Sequence, residues 1–307
     1  MAEQSDPNVR SEYVQDEIAA WLRRPGSQKK EVQVAFYGGS FTGLPEQMQI
    51  DLLLAVRPFI DAGKVASIRL STRPDYIHEK TAKFLFAHGV RTVELGVQSL
   101  DPVVLEKSRR GHTVYHVARA IERLREVPLL VGGQLMVGLP GETVSGAMRG
   151  AAQLVLLRPD FVRIYPTLVV QGSGLEVLYT QRAYMPLSLN KAIVLTARLK
   201  TIFDEAGIPV IRMGLQPTEN LQDNLTAGPH HPAFGELVQS RIMYKKTRKI
   251  LREHRGDKRA LSVSAFDESI FRGQKNHNLR SLSHSGLLEG VELVFDADQP
   301  RGTICFC

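Results

Sequence analysis

Residues 32–45 read VQVAFYGGSFTGLP. The stretch opens as a β-branched and aromatic run, turns at Gly38-Gly39-Ser40, and leaves through Gly43-Leu44-Pro45 into a helical pattern. Paired glycines at the end of a strand permit positive φ and let the backbone come close to a ligand. Their free N–H groups can hold a carboxylate or the polar end of an amino acid. A lone Gly-Gly is more often a tight strand-to-helix turn. Here the same unit of strand, polar turn and helix recurs along the chain, so a local feature becomes an architecture.

Upstream, residues 9–24 (VRSEYVQDEIAAWLRR) place Val14, Ile18, Trp21 and Leu22 on one face at helical spacing. Arg23 and Arg24 suit the negative end of the helix dipole, and Pro25-Gly26 stops it. Downstream, a helix runs from Pro45 to about Ile60, and a strand SIRLSTRP ends at Pro74. Asp75 is expected to cap the helix that ends at His88-Gly89. The strand TVELGVQS follows, and then a helix opened by Asp101-Pro102, because proline favours the first helical position. After a break at 109–113 comes a helix to about Glu126, the strand GGQLMVGLP, and a helix ending near Leu157. The strand FVRIYPTLVV leads to a Gly-rich loop at 171–174, a mobile segment, a helix at 188–206 and a sixth strand, IPVIRMGLQPT.

Six strands alternating with helices predict right-handed β–α units and a parallel sheet. The faces decide its shape. Val93, Leu95 and Val97 share one side of the third strand; Glu94, Gly96 and Gln98 share the other. Ile68 and Leu70 oppose Arg69, Ser71 and Arg73; Leu135 and Val137 oppose Gln134 and Met136. Val162 and Ile164 oppose Arg163 and Tyr165, and Ile211 and Met213 oppose Arg212. An open sheet covered by helices on both sides shows apolar residues on both faces. One apolar and one charged face instead predicts helices outside and a polar concave interior, a partial barrel. Its charges must pair or meet a polar ligand. The ligand end is the carboxyl end of the strands, where Gly38-Gly39-Ser40, Ser71-Thr72-Arg73, Gln98-Ser99, Gly138–Thr143 and Gln171–Gly174 gather.

No apolar run approaches the ~20 residues of a membrane span, which excludes a helical membrane protein. Met1–Arg10 is polar and does not read as a signal peptide. Among 307 residues the two cysteines are Cys305 and Cys307, so no disulfide framework and no disulfide-linked partner is expected, and the location is read as cytoplasmic. A net charge of +7 and a pI of about 9.4 permit an anionic partner without identifying one.

The segments AFYGGSFTGLP, RLSTRPDYI, VELGVQSLDPVVLEKSRRGHT, QLMVGLPGET, RIYPTLVVQGSGLE and GPHHPAFGELVQSR, in this order, resemble the radical S-adenosylmethionine (SAM) superfamily. The branch is the one that holds the radical SAM core of the Elongator catalytic subunit and its bacterial relatives. The resemblance implies a (β/α)6-type partial TIM barrel over residues 9–218, with a small C-terminal α+β appendage over 219–307. It implies a [4Fe-4S] cluster that cleaves SAM to a 5′-deoxyadenosyl radical, the cofactor carrying the chemistry. By the same resemblance, Gly38-Gly39-Ser40 meets the SAM amino group, with Ser40 standing where other branches often have Glu. Arg110 meets its carboxylate. Gln98 and Ser99 lie beside its ribose and methionine, and Val137, Gly138 and Leu139 lie against adenine. Read without the resemblance, Arg110 is a helix-end arginine, and Gln98 and Ser99 are strand-end hydrogen-bonding groups. Glu142 reads as the acidic first-turn residue of its helix, and Arg163 and Tyr165 as a buried structural pair.

One departure is large. Three cysteines, CxxxCxxC or a close variant, should follow the first barrel strand and hold the cluster through their thiolates. This chain has only Cys305 and Cys307, read as a short reduced tail, so the cluster ligands, and with them the first strand, are expected to be missing. The strand at 32–37 is then expected to be an exposed edge.

Beyond Asn220 the βα rhythm ends. Residues 228–258 carry Arg241, Lys245, Lys246, Arg248, Lys249, Arg252, Arg255 and Lys258 at helical spacing, with Leu237, Ile242, Ile250 and Leu251 as an apolar stripe. Such a run is usually a solvated face; the resemblance implies tRNA or another RNA as its partner. His230 and His231 lack a third ligand at metal spacing and read as structural. LSVSAFDES and VELVFDA read as strands of the appendage. Three functions compete: a radical SAM enzyme, a non-catalytic RNA-binding or scaffold protein, and another barrel enzyme for a small anion.

Overall fold

A computed structural model describes residues 11–24, 31–216, 219–254 and 260–306. The Pro25-Gly26 stop, the stretch 9–10, Arg255, Lys258 and Cys307 lie outside the described residues. In chain order the barrel elements are α1 (Ser11–Leu22), β1 (Gln33–Phe36), α2 (Glu46–Asp61), β2 (Ser67–Thr72), α3 (Thr81–Ala87) and β3 (Val90–Gln98). Next come α4 (Pro102–Lys107), α5 (Val114–Leu124), β4 (Leu130–Val137), α6 (Val144–Leu156) and β5 (Phe161–Pro166). Then follow β6 (Val169–Val170), α7 (Gly174–Thr180), α8 (Leu189–Glu205) and β7 (Val210–Met213).

The sheet has six strands in the order β1-β2-β3-β4-β5-β7, every neighbouring pair parallel. It curls into a half-barrel with helices outside. The register explains the polarity: Ala35, Arg69 and Thr92 lie level, as do Ser71, Glu94 and Gly132, and Gln134, Arg163 and Arg212. The opposite face, with Ile68, Leu70, Val93, Leu95, Val97, Val131, Leu135, Val162 and Ile164, is buried against Leu53 and Val56 of α2, Val117, Ile121 and Leu124 of α5, Leu154 of α6 and Phe203 of α8. Each fully buried aliphatic side chain contributes about 1.5–3 kcal/mol.

Local signals set the helix starts. Asp101 accepts from Val103 N–H at 3.0 Å ahead of Pro102, and Thr143 and Ser188 cap α6 and α8 through Gly146 and Lys191 N–H. Several expectations are corrected. Asp75 does not cap a helix: it sits in a short 3-10 turn paired to Arg73, and α3 begins six residues later, after Lys80. The strand read as 161–170 ends at Pro166, whose ring cannot donate to the ladder; Val169–Val170 pairs instead with a later segment. The segment expected to be mobile after residue 174 contains α7, capped by Ser173 on Glu176 N–H. Val14 and Ile18 of α1 are buried in the core, but Trp21 is 43% exposed, so the apolar stripe of that helix is narrower than its spacing suggests. Among the described residues no strand lies on the outer side of β1.

After the barrel come α9 (Glu219–Asp223), β8 (Leu225–Ala227), antiparallel to β6, and the long α10 (Phe234–Glu253). The chain closes with β9 (Ala260–Ser264), α11 (Glu268–Arg272), α12 (His277–His284), β10 (Glu292–Asp296) and β11 (Ile304–Phe306). These three strands form a sheet ordered β10-β9-β11 over a core of Met243, Leu251, Leu261, Val263, Phe271, Leu282 and Leu287. The strand read in LSVSAFDES stops at Ser264, and AFD turns into a 3-10 helix. Cys305, expected in a tail, lies on β11, where Ile304–Phe306 pairs with Leu261–Val263.

Candidate functional site

Inside the barrel the Phe161 ring lies over Gly132, where any Cβ would overlap it, and the Arg69 guanidinium sits 5.2 Å from the ring centroid. Gly132 is paired in register with Glu94, which has no solvent exposure. Its Oε1 accepts from the Tyr37 hydroxyl at 2.7 Å and lies 3.3 Å from Arg69 Nε. Its Oε2 accepts from Gln134 Nε2 at 2.8 Å and lies 2.9 Å from Arg163 Nε. Arg163 also donates to the Tyr37 and Tyr165 hydroxyls at 2.9 and 3.3 Å. Burial first, then the bond to Glu94, pushes the Tyr37 phenol well above its ordinary range. The pair read as Arg163 with Tyr165 is therefore part of a larger network around one counter-charge, in which Arg69 Nε and Arg163 Nε lie within ion-pair distance of Glu94 without making a hydrogen bond to it.

The mouth differs. Gly38 has φ +103° and open space on its Cβ side, and the N–H groups of Gly38, Gly39 and Ser40 make no hydrogen bond among the described residues. Ser71 Oγ donates to the Gly39 carbonyl at 3.4 Å, which ties the turn to β2. Gln98 ends β3 at φ +63°, and its Nε2 lies 2.8 Å from where a Cβ on Gly96 would stand, so its side chain folds back over Gly96. Ser99 is buried and accepts from Asp101 N–H at 3.1 Å. Arg73 holds Asp75 through two bonds of 3.0 and 2.7 Å. Burial works against the Asp75 charge, but the arginine outweighs it and holds the carboxyl below its usual range.

Arg110 has no such partner. Among the described residues its Nη2 donates only to the Met136 sulfur at 2.9 Å, and its Nε is buried without a hydrogen bond. Burial first, then the neighbouring Arg73, makes its charge costlier than usual. His112, two residues on, donates from Nε2 to the Val97 carbonyl at 3.1 Å, while its Nδ1 is buried and unpartnered; burial pushes its pKa down.

On the far side of the mouth, Gly138 N–H donates to Glu142 Oε2 at 2.6 Å, and Tyr184 Oη donates to the Gly138 carbonyl at 2.6 Å. Glu142 is thus not a first-turn residue of α6. It precedes the Thr143 cap and folds back over its own loop. Burial, with a smaller push from Asp101, raises its carboxyl to about 7, against the pull of the Gly138 bond.

The structure brings Gly38-Gly39-Ser40, Gln98-Ser99, Arg110 and Val137-Gly138-Leu139 to the carboxyl ends of β1, β3 and β4 and the turn after α4. The Val137 side chain belongs to the core on the helix side, so only the backbone there faces the mouth. Sequence reasoning missed Tyr37, Phe161 and Tyr184. Tyr37 and Phe161 share strand parity with interior residues, a signal that was available. Tyr184 carried none, because it comes from a segment read as mobile.

The Radical SAM superfamily model matches residues 3–148, and the Radical_SAM C-terminal domain matches residues 159–244. The chain belongs to the radical SAM superfamily. Among curated proteins this radical SAM chain is 28% identical over 201 residues to the tRNA uridine(34) acetyltransferase of Methanocaldococcus jannaschii, covering 59% of this chain and 37% of that protein. It is 26% identical over 244 residues to Elongator complex protein 3 of Danio rerio, covering 72% and 43%. The chain therefore spans well under half the length of these two relatives. Among solved structures, the archaeal Methanocaldococcus infernus Elp3 with an N-terminal deletion superimposes with a TM-score of 0.63 at 22% identity, covering 78% of this chain and 59% of that one. At that identity the likeness speaks for the fold.

The radical SAM cofactors fit unequally. Three thiolates are needed for the cluster, and the chain has two cysteines. Cys305 is exposed on β11, in the C-terminal sheet, and no group of three metal-ligating side chains occurs among the described residues. A [4Fe-4S] cluster does not fit the side chains present. An amino-acid end does fit the mouth. Among the described residues Arg110 has no anion, the N–H groups of the turn at Gly38–Ser40 are unpaired, and open space lies beside Gly38.

Proposed function

We propose that this protein binds S-adenosylmethionine at the barrel mouth and acts in the cytoplasm on an RNA, the partner class that the names of its tRNA-modifying relatives suggest. The observation that carries the reading is Arg110: a half-buried guanidinium, its Nε fully covered, whose only acceptor among the described residues is a thioether. A carboxylate in that place supplies the missing charge and two hydrogen bonds in a bidentate geometry. At the Gly38-Gly39-Ser40 turn the Gly38 carbonyl receives the amino group, the Gly39 and Ser40 carbonyls being already engaged by Ser71 and Gly43. Gln98 and Ser99 reach the ribose and methionine portions, and the Val137-Gly138-Leu139 backbone lies along adenine, held in shape by Glu142 and Tyr184. This chain's own residues hold and orient the molecule and exclude water from it.

The test is calorimetric titration of the whole chain with SAM. Saturable binding is expected. Hydrogen bonds to charged groups contribute about 1.5–3 kcal/mol, so Arg110→Gln weakens binding roughly ten- to hundredfold. Arg110→Lys keeps the charge and recovers part of the loss. Absence of binding, or equal affinity in the Gln variant, would overturn the assignment.

A further inference from the structure

Helix α10 starts against the barrel. Phe234 and Val238 pack with Ala192 and Ala197 of α8, with Met213 at the end of β7 beside them. Further along, Met243 and Leu251 turn to the C-terminal core. The side first used against α8 does not remain apolar. Arg241, Lys245, Arg248 and Arg252 recur at steps of four, three and four, which places them on one face. Eleven residues at 1.5 Å rise make a stripe about 16 Å long.

Among the described residues none of these four cations has a carboxylate within ion-pair distance. On the same helix Lys249 pairs with Glu253, and on α8 Lys200 pairs with Asp204. Arg198 of α8 joins the stripe at the seam. Partial desolvation first, then Arg241 and Arg198, makes the Lys245 charge costlier than usual, with no acid to offset them. Arg241 Nε is buried and unpartnered while its guanidinium lies 5.9 Å from the Tyr244 ring centroid. Like charges gathered on a rigid helix without counter-charges raise the energy of the free protein, and a polyanion relieves it.

We propose that the Arg241–Lys245–Arg248–Arg252 stripe, with Arg198, is the surface on which the phosphodiester backbone of RNA docks. The choice of RNA rests on the function proposed above; the unpaired stripe does not. Three of the four residues are arginines, whose planar fork suits phosphate oxygens. No large apolar side chain of α10 is among the exposed ones, which argues against insertion into a lipid surface. The stripe begins about seven residues, or roughly 10 Å, from the helix start beside the mouth and runs away from it. An RNA held there lies along the barrel's flank and reaches the mouth with one end. Phosphate contacts of this kind fix position and carry no sequence information.

The test compares the whole chain with two triple variants by fluorescence anisotropy on a labelled RNA hairpin across a salt series. One carries Lys245→Gln, Arg248→Gln and Arg252→Gln, leaving Arg241 at the seam. The control carries Lys64→Gln, Lys80→Gln and Lys83→Gln, an equal loss of charge elsewhere. The stripe variant is expected to bind roughly tenfold or more weakly at moderate salt, with a salt slope lower by about three. The control is expected to change little, and SAM affinity and the thermal melt stay as in the parent for both. Equal losses in the two variants, or an unchanged salt slope in the stripe variant, would overturn the proposal. So would competition by polyglutamate as effective as by unlabelled RNA, since the surface would then be one for acidic peptides. A stripe variant that loses RNA while binding SAM normally separates this proposal from the one about the mouth.

Discussion

Two arginines in one barrel, Arg163 and Arg110, face opposite circumstances. Arg163 sits at mid-depth with its side chain 11% exposed, beside Glu94 and two tyrosine hydroxyls. Arg110 sits at the rim with one thioether. Both pay for leaving water, and among the described residues only the first meets a counter-charge. A buried charge answered by the protein is part of the architecture; one left unanswered marks where the protein expects something from outside. The polar interior is thus two regions, a structural network below and a receptive rim above.

That division can be broken by stability measurements. The largest effect is expected at Glu94. Glu94→Gln keeps the shape but leaves Arg69 and Arg163 without a counter-charge, and urea unfolding should show a loss of about 3–5 kcal/mol. A loss below ~1 kcal/mol would mean that water enters the lower network and that the two regions do not differ.

Glu142 comes next and tests the loop at the rim. Its folded pKa, about 7, lies above the ordinary carboxyl value of 4.5. The folded state therefore holds the proton more tightly. Stability from this group is full below pH ~4.5 and is lost as pH rises through about 7. The shift corresponds to up to roughly 3 kcal/mol. Glu142→Gln should flatten the unfolding free energy between pH 5 and 8 and leave the variant more stable than the parent at pH 8. An unchanged pH slope would sink this.

The smallest effect sharpens the comparison from the other side. Arg110→Met removes a desolvated cation that no acid among the described residues balances, so the folded protein should gain about 1 kcal/mol, or at least lose nothing, in the same urea titration. A loss comparable with that at Glu94 would show that Arg110 belongs to the structure after all.

The architecture was legible because it is written in periods. Strand alternation separated Val93, Leu95 and Val97 from Glu94, and that alone predicted an apolar shell around a charged interior. Asp101-Pro102 announced α4 chemically. The failures came where the outcome depends on tertiary partners. Asp75 has the right residue type for a cap, but Arg73, two residues away, claims its carboxylate. Val169–Val170 reads as a continuation of β5, yet its partner lies more than fifty residues downstream, in β8. Pairing of Arg163 with Glu94 across the interior, and the absence of an acid for Arg110 among the described residues, cannot be seen in a linear string, because both depend on which strands become neighbours.

One contact inside the barrel ties two positions together. Gly132 and the Phe161 ring occupy what is sterically a single place, closed from above by Arg69. Neither residue is free to drift alone. An added methyl at 132 has no room while the ring remains, and a small residue at 161 opens a void beneath a cation. Substitutions at these positions are therefore contingent on one another. A lineage that changes the depth of this barrel has to cross a less fit intermediate or change both at once, so co-variation of 132 with 161 is the trace such a history would leave.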